Sequence, residues 1–426
     1  MVPKGWSVFR LEDIVIRTQL GTTERGMSED PLTTLIPLIK MGNLGWGSVN
    51  FNKVEYIEQS LINDSFLLKK GDFLFNTRNT PDLVGKSAVW DEDYTATFDN
   101  NINRIVFNKK VYTNFIAYYL NTGKGKSAIQ SLPAGSTSVA AIYWKDLKNI
   151  QLLLPSLGEQ QKIVQILSTW DKSIVVTGKL LTNSHRQKKA LMQQLLTGRK
   201  RLGLSVGSYE FKLTHYGSIP KDWDYPAIKE ICTQVSEKNS AAVDYPVLSC
   251  SKYDGFVDSL KYFNKKVYSD DLSGYRLIHR GCFGFPSNHI EEGSIGLQNL
   301  YETGIVSPIY VVFRASPTKV DNSYLYAVLK TDHYKQIFGA ATNASVDRRG
   351  SLRWKEFNQI HVPLPPLKEQ QKIAAVLSAA DAEIATLEKK LASLKDEKKA
   401  LMQQLLTGKL RVKLERQQIE EASHAN

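Results

Sequence analysis

At 426 residues with 42% hydrophobic side chains, the chain is too long for one ordinary domain and has apolar material for more than one core. No run approaches the roughly 18 consecutive apolar residues of a membrane span, and MVPKGWSVFRLED has no apolar stretch behind a basic start, so a cytoplasmic protein without a membrane partner is expected. The net charge of +12 points to a polyanionic partner, and Cys232, Cys250 and Cys282 form no CxxC pair, which argues against a disulfide framework or a zinc site.

Residues 1–153 carry short β-rich runs at 35–39, 72–75, 87–90 and 102–107, punctuated by Gly, Asn and Pro, and then a helical stretch at 113–120. Between two of these runs, Asn76-Thr77-Arg78-Asn79-Thr80-Pro81 leads on to Gly85-Lys86. This stretch offers amides, hydroxyls and cations, the groups that read base edges and hold phosphates in a DNA groove. A second polar loop, Gly135-Ser136-Thr137-Ser138, adds hydroxyls. Asn76, Thr77, Arg78, Asn79, Thr80, Lys86, Ser136 and Thr137 are therefore candidate DNA contacts, although for any one of them an ordinary polar turn is an equal reading.

Residues 154–205 begin with LPSLGEQQKI and end near KKALMQQLLTG at 188–198. Glu159 stands near the start of the expected helix, where the macrodipole favours an anion, and Gly198 stands where a helix terminates. In between, Ile163, Leu167, Trp170, Ile174, Thr177, Leu181, Ser184, Leu191 and Leu195 are spaced by fours and threes, a coiled-coil seam in which Lys188 fills one position. Val175-Val176-Thr177-Gly178 weakens the middle of this helix, so a partner must support it there. The charge excess is concentrated here, with nine basic against two acidic residues, while the segments on either side are nearly neutral.

Residues 206–363 repeat the first order of elements, with strands at 246–248, 282–285 and 309–313 and a helix at 324–330. Ile219-Pro220-Lys221-Asp222-Trp223 matches Val2-Pro3-Lys4-Gly5-Trp6, and scattered pairs such as Phe73/Phe283, Phe75/Phe285 and Trp144/Trp354 stand 210 apart. The loop corresponding to 76–81 is Pro286-Ser287-Asn288-His289, and the one corresponding to 135–138 holds Arg348 and Arg349. Ser287, Asn288, His289, Arg348 and Arg349 are thus the candidate contacts of the second half.

Residues 364–426 open with LPPLKEQQKI and repeat KKALMQQLLTG letter for letter at 398–408. Between 154–198 and 364–408, 25 of 45 positions are identical with no gap. The second seam, from Ile373 to Leu405, keeps the register of the first, with Lys398 in the place of Lys188. Two such helices of roughly 60 Å in one chain favour intrachain pairing over a dimerisation zipper, and a pseudo-two-fold relation between the repeats makes the pair antiparallel.

Catalytic and cofactor signals are absent. Gly85-Lys86-Ser87 and Gly125-Lys126-Ser127 resemble the end of a P-loop, but Thr80 and Leu120 stand where its first glycine is required. There is no GxGxxG, no HExxH and no Asn-Pro-Pro-aromatic tetrad, and His279 with Cys282 lacks further ligands for a tetrahedral metal site. No catalytic residue, metal or cofactor is expected.

Over nearly its whole length the chain resembles the specificity subunits of Type I restriction-modification systems. The resemblance is carried by LPSLGEQQKI and LPPLKEQQKI, the two copies of KKALMQQLLTG, the Pro-Lys-x-Trp starts and KKGDFLFNTRNTPDLVGK. It implies an α+β architecture of two mixed target recognition domains, 1–153 and 206–363, separated by two long helices, 154–205 and 364–426, in an antiparallel coiled coil. It also implies double-stranded DNA as ligand, two methyltransferase subunits docked on the helices, and restriction subunits that join through the assembly of those two subunits with this chain. Because Phe285-Pro286-Ser287-Asn288 replaces NTRNTP, the two half-sites are expected to differ. A DNA-reading module for another modification enzyme would share these features, whereas a non-DNA coiled-coil adaptor would leave the divergent domains unexplained.

Overall fold

In the computed structural model, residues 2–26, 34–135, 139–205, 207–215, 217–343 and 351–414 are described. The chain divides into two units, one of residues 1–178 with 389–426 and one of residues 179–388. The long helices Leu157–Leu195 and Leu367–Leu405 run through both boundaries, so each unit holds the first half of one helix and the second half of the other. Among the described residues no helix is long and apolar enough to cross a membrane.

In the first unit, Val15–Leu20, Ile102–Phe107, Phe73–Asn76 and Ser87–Val89 form a four-stranded antiparallel sheet in that order. In the second, Cys232–Val235, Tyr310–Ala315, Cys282–Pro286 and Gly296–Leu297 form a sheet of the same order. The central strands read as continuous apolar runs because both faces are covered: Phe73, Leu74 and Phe75 are wholly buried, as are Cys282, Phe283 and Phe285. Helices Thr113–Leu120 and Asn322–Leu329 bury Phe115 and Ile116 in one unit and Tyr324 and Leu325 in the other. The second core is the more aromatic, with Phe283 stacked on Phe313 at 5.0 Å and Phe357 between Phe285 and Phe313.

Each core continues into the helix pair. Ile163 and Leu167 share the first core with Leu405 and Leu406, while Ile373 and Leu377 share the second with Leu195 and Leu196. Within each unit the helix segments are antiparallel: Glu159 meets Arg411 and Asp171 meets Lys398 in the first, and Glu369 meets Arg201 and Asp381 meets Lys188 in the second. These four contacts are two pairs at an offset of 210. The lysines that interrupt each seam therefore have a purpose, since each ammonium reaches an aspartate on the facing helix. Partly buried pairs of this kind fix register, as a polar residue in a coiled-coil seam does.

The Pro-Lys-x-Trp segments pack on the helix ends. Gly198 and Gly408 close their helices at φ +68° and +69°. A Cβ on Gly198 would lie 2.3 Å from Pro220 Cγ and 3.2 Å from Trp223, and one on Gly408 would lie 2.6 Å from Pro3 Cγ and 3.2 Å from Trp6. Left-handed backbone and close approach both demand glycine here. Gly198→Ala and Gly408→Ala are each expected to cost at least ~1–2 kcal/mol, read as a lowered urea midpoint, with similar losses in both variants.

Candidate nucleic-acid interface

In the first unit, the segment following the central strand is itself ordered by pairing. Arg78–Asn79 forms a short strand against Ala140–Ala141, which pairs in turn with Ala134–Gly135. The two loops singled out in the sequence are thereby joined in one small sheet. Asn76 is wholly buried, and its amide donates to the Arg78 and Asn101 carbonyls at 3.2 and 3.3 Å while its Oδ1 accepts from Asn79 at 3.2 Å. Thr77 Oγ1 donates to the Asn101 carbonyl at 2.9 Å, and the Thr80 N–H donates to Asn79 Oδ1 at 2.9 Å. Asn76, Thr77 and Asn79 therefore spend much of their polarity in holding the loop. Arg78 and Thr80 are exposed, and Lys86 is half-buried. Ser136 and Thr137 lie outside the described residues.

The second unit uses the same frame with other side chains. The Ile142 N–H donates to the Thr77 carbonyl at 2.9 Å, and 210 residues on the Leu352 N–H donates to the Ser287 carbonyl at 2.8 Å. Ser287 thus occupies the position of Thr77, Asn288 that of Arg78 and His289 that of Asn79. Ser287 and Asn288 are half-buried, and His289 is exposed with its ring 3.2 Å from Glu292. Among the described residues, His289, Glu291 and Glu292 bring potential metal-ligand atoms within 4.8 Å of one another. Arg348 and Arg349 lie outside the described residues.

A pair of grooves was not anticipated. One, of about 1000 Å³, lies in the second unit and is lined by Lys188, Lys189, Met192, Gln193 and Leu196 together with side chains of the globular part. The other, of about 980 Å³, lies in the first unit and is lined by Lys398, Lys399, Met402, Gln403 and Leu406. These are the same letters of KKALMQQLLTG. Lys189, Gln193, Lys399 and Gln403 are exposed, so their identity exceeds what a seam requires. That excess was the available signal in the sequence. Arg201, by contrast, is unavailable to a polyanion, because it is 7% exposed and its guanidinium is forked between Asp222 and Glu369 at 2.6–2.9 Å.

The comparisons with known proteins agree with this duplicated plan. The model of the Type I restriction modification DNA specificity domain matches residues 3–182 and again 220–396. The MjaVIII specificity subunit of Methanocaldococcus jannaschii is 25% identical over 97% of this chain and 94% of its own length. The EcoKI specificity subunit of Escherichia coli is 23% identical over 92% and 85%. Among solved structures, the S subunit of a Type I restriction-modification system from M. genitalium superposes with a TM-score of 0.57 at 16% identity, covering 95% of this chain and 99% of that one. With two copies of the domain across most of its length, the chain belongs to the family of Type I restriction-modification DNA specificity subunits.

Proposed function

We propose that residues 1–153 and 206–363 each read one half of an asymmetric, bipartite double-stranded DNA target, and that residues 154–205 and 364–426 set the unread spacer and hold the partner subunits. The observation that carries this reading is the shared frame with exchanged contents. Thr77, Arg78 and Asn79 stand where Ser287, Asn288 and His289 stand, on the same backbone hydrogen bond. A guanidinium can grip guanine through two acceptors, which the amide and imidazole at the corresponding positions cannot imitate, so the half-sites differ. Arg78, Thr80 and Lys86 are the foremost contacts of the first half, supported by Asn76, Thr77 and Asn79 and joined by Ser136 and Thr137. Ser287, Asn288 and His289, with Arg348 and Arg349, serve the second.

Catalysis belongs to partners. Two grooves lined by the same basic and apolar residues suit two copies of one subunit with an acidic, partly apolar docking segment. We assign these to two methyltransferase subunits, with restriction subunits joining through that assembly in the cytoplasm. The charge excess of 154–205 then serves partner docking at least in part, since Lys188, Lys189 and Arg199 line a groove.

The test is to map methylated sites in DNA exposed to this chain with its methyltransferase. Arg78→Ala is expected to relax the first half-site by about 1–3 kcal/mol of discrimination and leave the second unchanged. Equal loss at both halves would reject the assignment of one half-site to each domain.

A further inference from the structure

Resting on the two-half reading above, we propose that the hairpin tip at Lys252 and Tyr253 is an additional DNA-contacting element, which enters the groove of the second half-site beside the loop 287–289. Leu248–Ser251 and Gly255–Asp258 form a two-stranded antiparallel ribbon. A ribbon of this width is one of the two shapes that the major groove admits. At its tip Tyr253 is 79% exposed, far more than an aromatic side chain needs for solubility, and the Lys252 ammonium stands 5.0 Å over its ring. Among the described residues, no carboxylate pairs with Lys252.

The tip is built rather than loose. Asp254 is held by the hydroxyls of Ser251 at 3.0 Å and Tyr262 at 3.3 Å, which fixes the turn and occupies the neighbouring negative charge. Lys330 Nζ donates to the Lys252 carbonyl at 2.7 Å and to the Gly293 carbonyl at 3.0 Å. A single ammonium thus ties the tip to the chain just beyond His289, so the two elements sit on one surface. That surface needs a cation from a neighbour, because Glu291 and Glu292 follow the reading loop directly. Lys252 supplies it.

The experiment uses the full chain with its methyltransferase, duplexes varied in either half-site, and Tyr253→Ala, Tyr253→Phe and Lys252→Gln. Because both side chains are exposed, the three variants should melt with the parent. Tyr253→Ala is expected to weaken binding about tenfold and relax the second half-site only, Tyr253→Phe to retain both properties, and Lys252→Gln to lower the slope of log affinity against log salt by about one. Parental affinity and site preference in Tyr253→Ala, while Asn288→Ala still relaxes the second half-site, would overturn the tip but leave the two-half reading standing. Loss at both halves on Tyr253→Ala would overturn it as well.

Discussion

Arg201→Ala is expected to destabilise the second unit by about 3 kcal/mol or more, because it leaves the Glu369 carboxylate, 13% exposed, without its partner in a place that water reaches poorly. Arg201 does more than neutralise. Its guanidinium also lies 5.8 Å over Trp223 and 5.4 Å over Tyr209, so it binds the helix start, the Pro-Lys-x-Trp segment and the connector together. Arg411→Ala should cost a similar amount, since it leaves the Glu159 carboxylate, 4% exposed, without its partner. The double variant Arg201→Met/Glu369→Leu removes the buried carboxylate and leaves only Asp222, whose side chain is 56% exposed, so it should recover most of the loss. Urea unfolding of the three variants decides the matter. A loss below about 1 kcal/mol for Arg201→Ala would show that the junction rests on packing instead.

Inserting seven residues of heptad pattern in both helices, between Gly178 and Lys179 and between Glu388 and Lys389, is expected to lengthen the unread spacer by about three base pairs and leave both half-sites as they are. The insertion points are the unit boundaries, so the ion pairs Asp171–Lys398 and Lys188–Asp381 keep their partners. A full heptad preserves the seam, and seven residues add about 10 Å at 1.5 Å per residue, against about 3.4 Å per base pair. The readout is the set of methylated sites. An unchanged spacer would sink the ruler, and loss of both half-sites together with a lowered melting temperature would instead report a broken helix pair.

Local pattern carried much of the fold. Strands at Leu35–Ile39 and Ile102–Phe107 and the helix at Thr113–Leu120 match the expected runs, because alternation, turn residues and apolar spacing are properties of neighbouring residues. The seams were legible for the same reason: Ile163, Leu167, Ile373, Leu377 and Ile384 are buried, and the weak stretch through Gly178 is nonetheless continuous helix, with Thr177 only 4% exposed. The pairing of Arg78–Asn79 with Ala140–Ala141 was not legible, since two residues hold no period and their partners are about 60 positions away. Helix Asp332–Asn343 was missed as well. It starts just after Leu329 ends its own helix, with only the short break at Lys330-Thr331 to announce it.

The candidate site divides along the same line. The sequence by itself determined that there are two units and that their helices agree while the loops between their strands differ, because repetition is a relation between letters. Only the tertiary structure decided which letters remain available. Asn76 turned inward to hold a loop, Arg201 was consumed by two carboxylates, Lys188 and Lys398 met aspartates on the facing helix, and Lys330 came to tie the carbonyls of Lys252 and Gly293 together. Burial and partnership arise from contacts across long separations, and those contacts exist only once the cores have brought distant segments together.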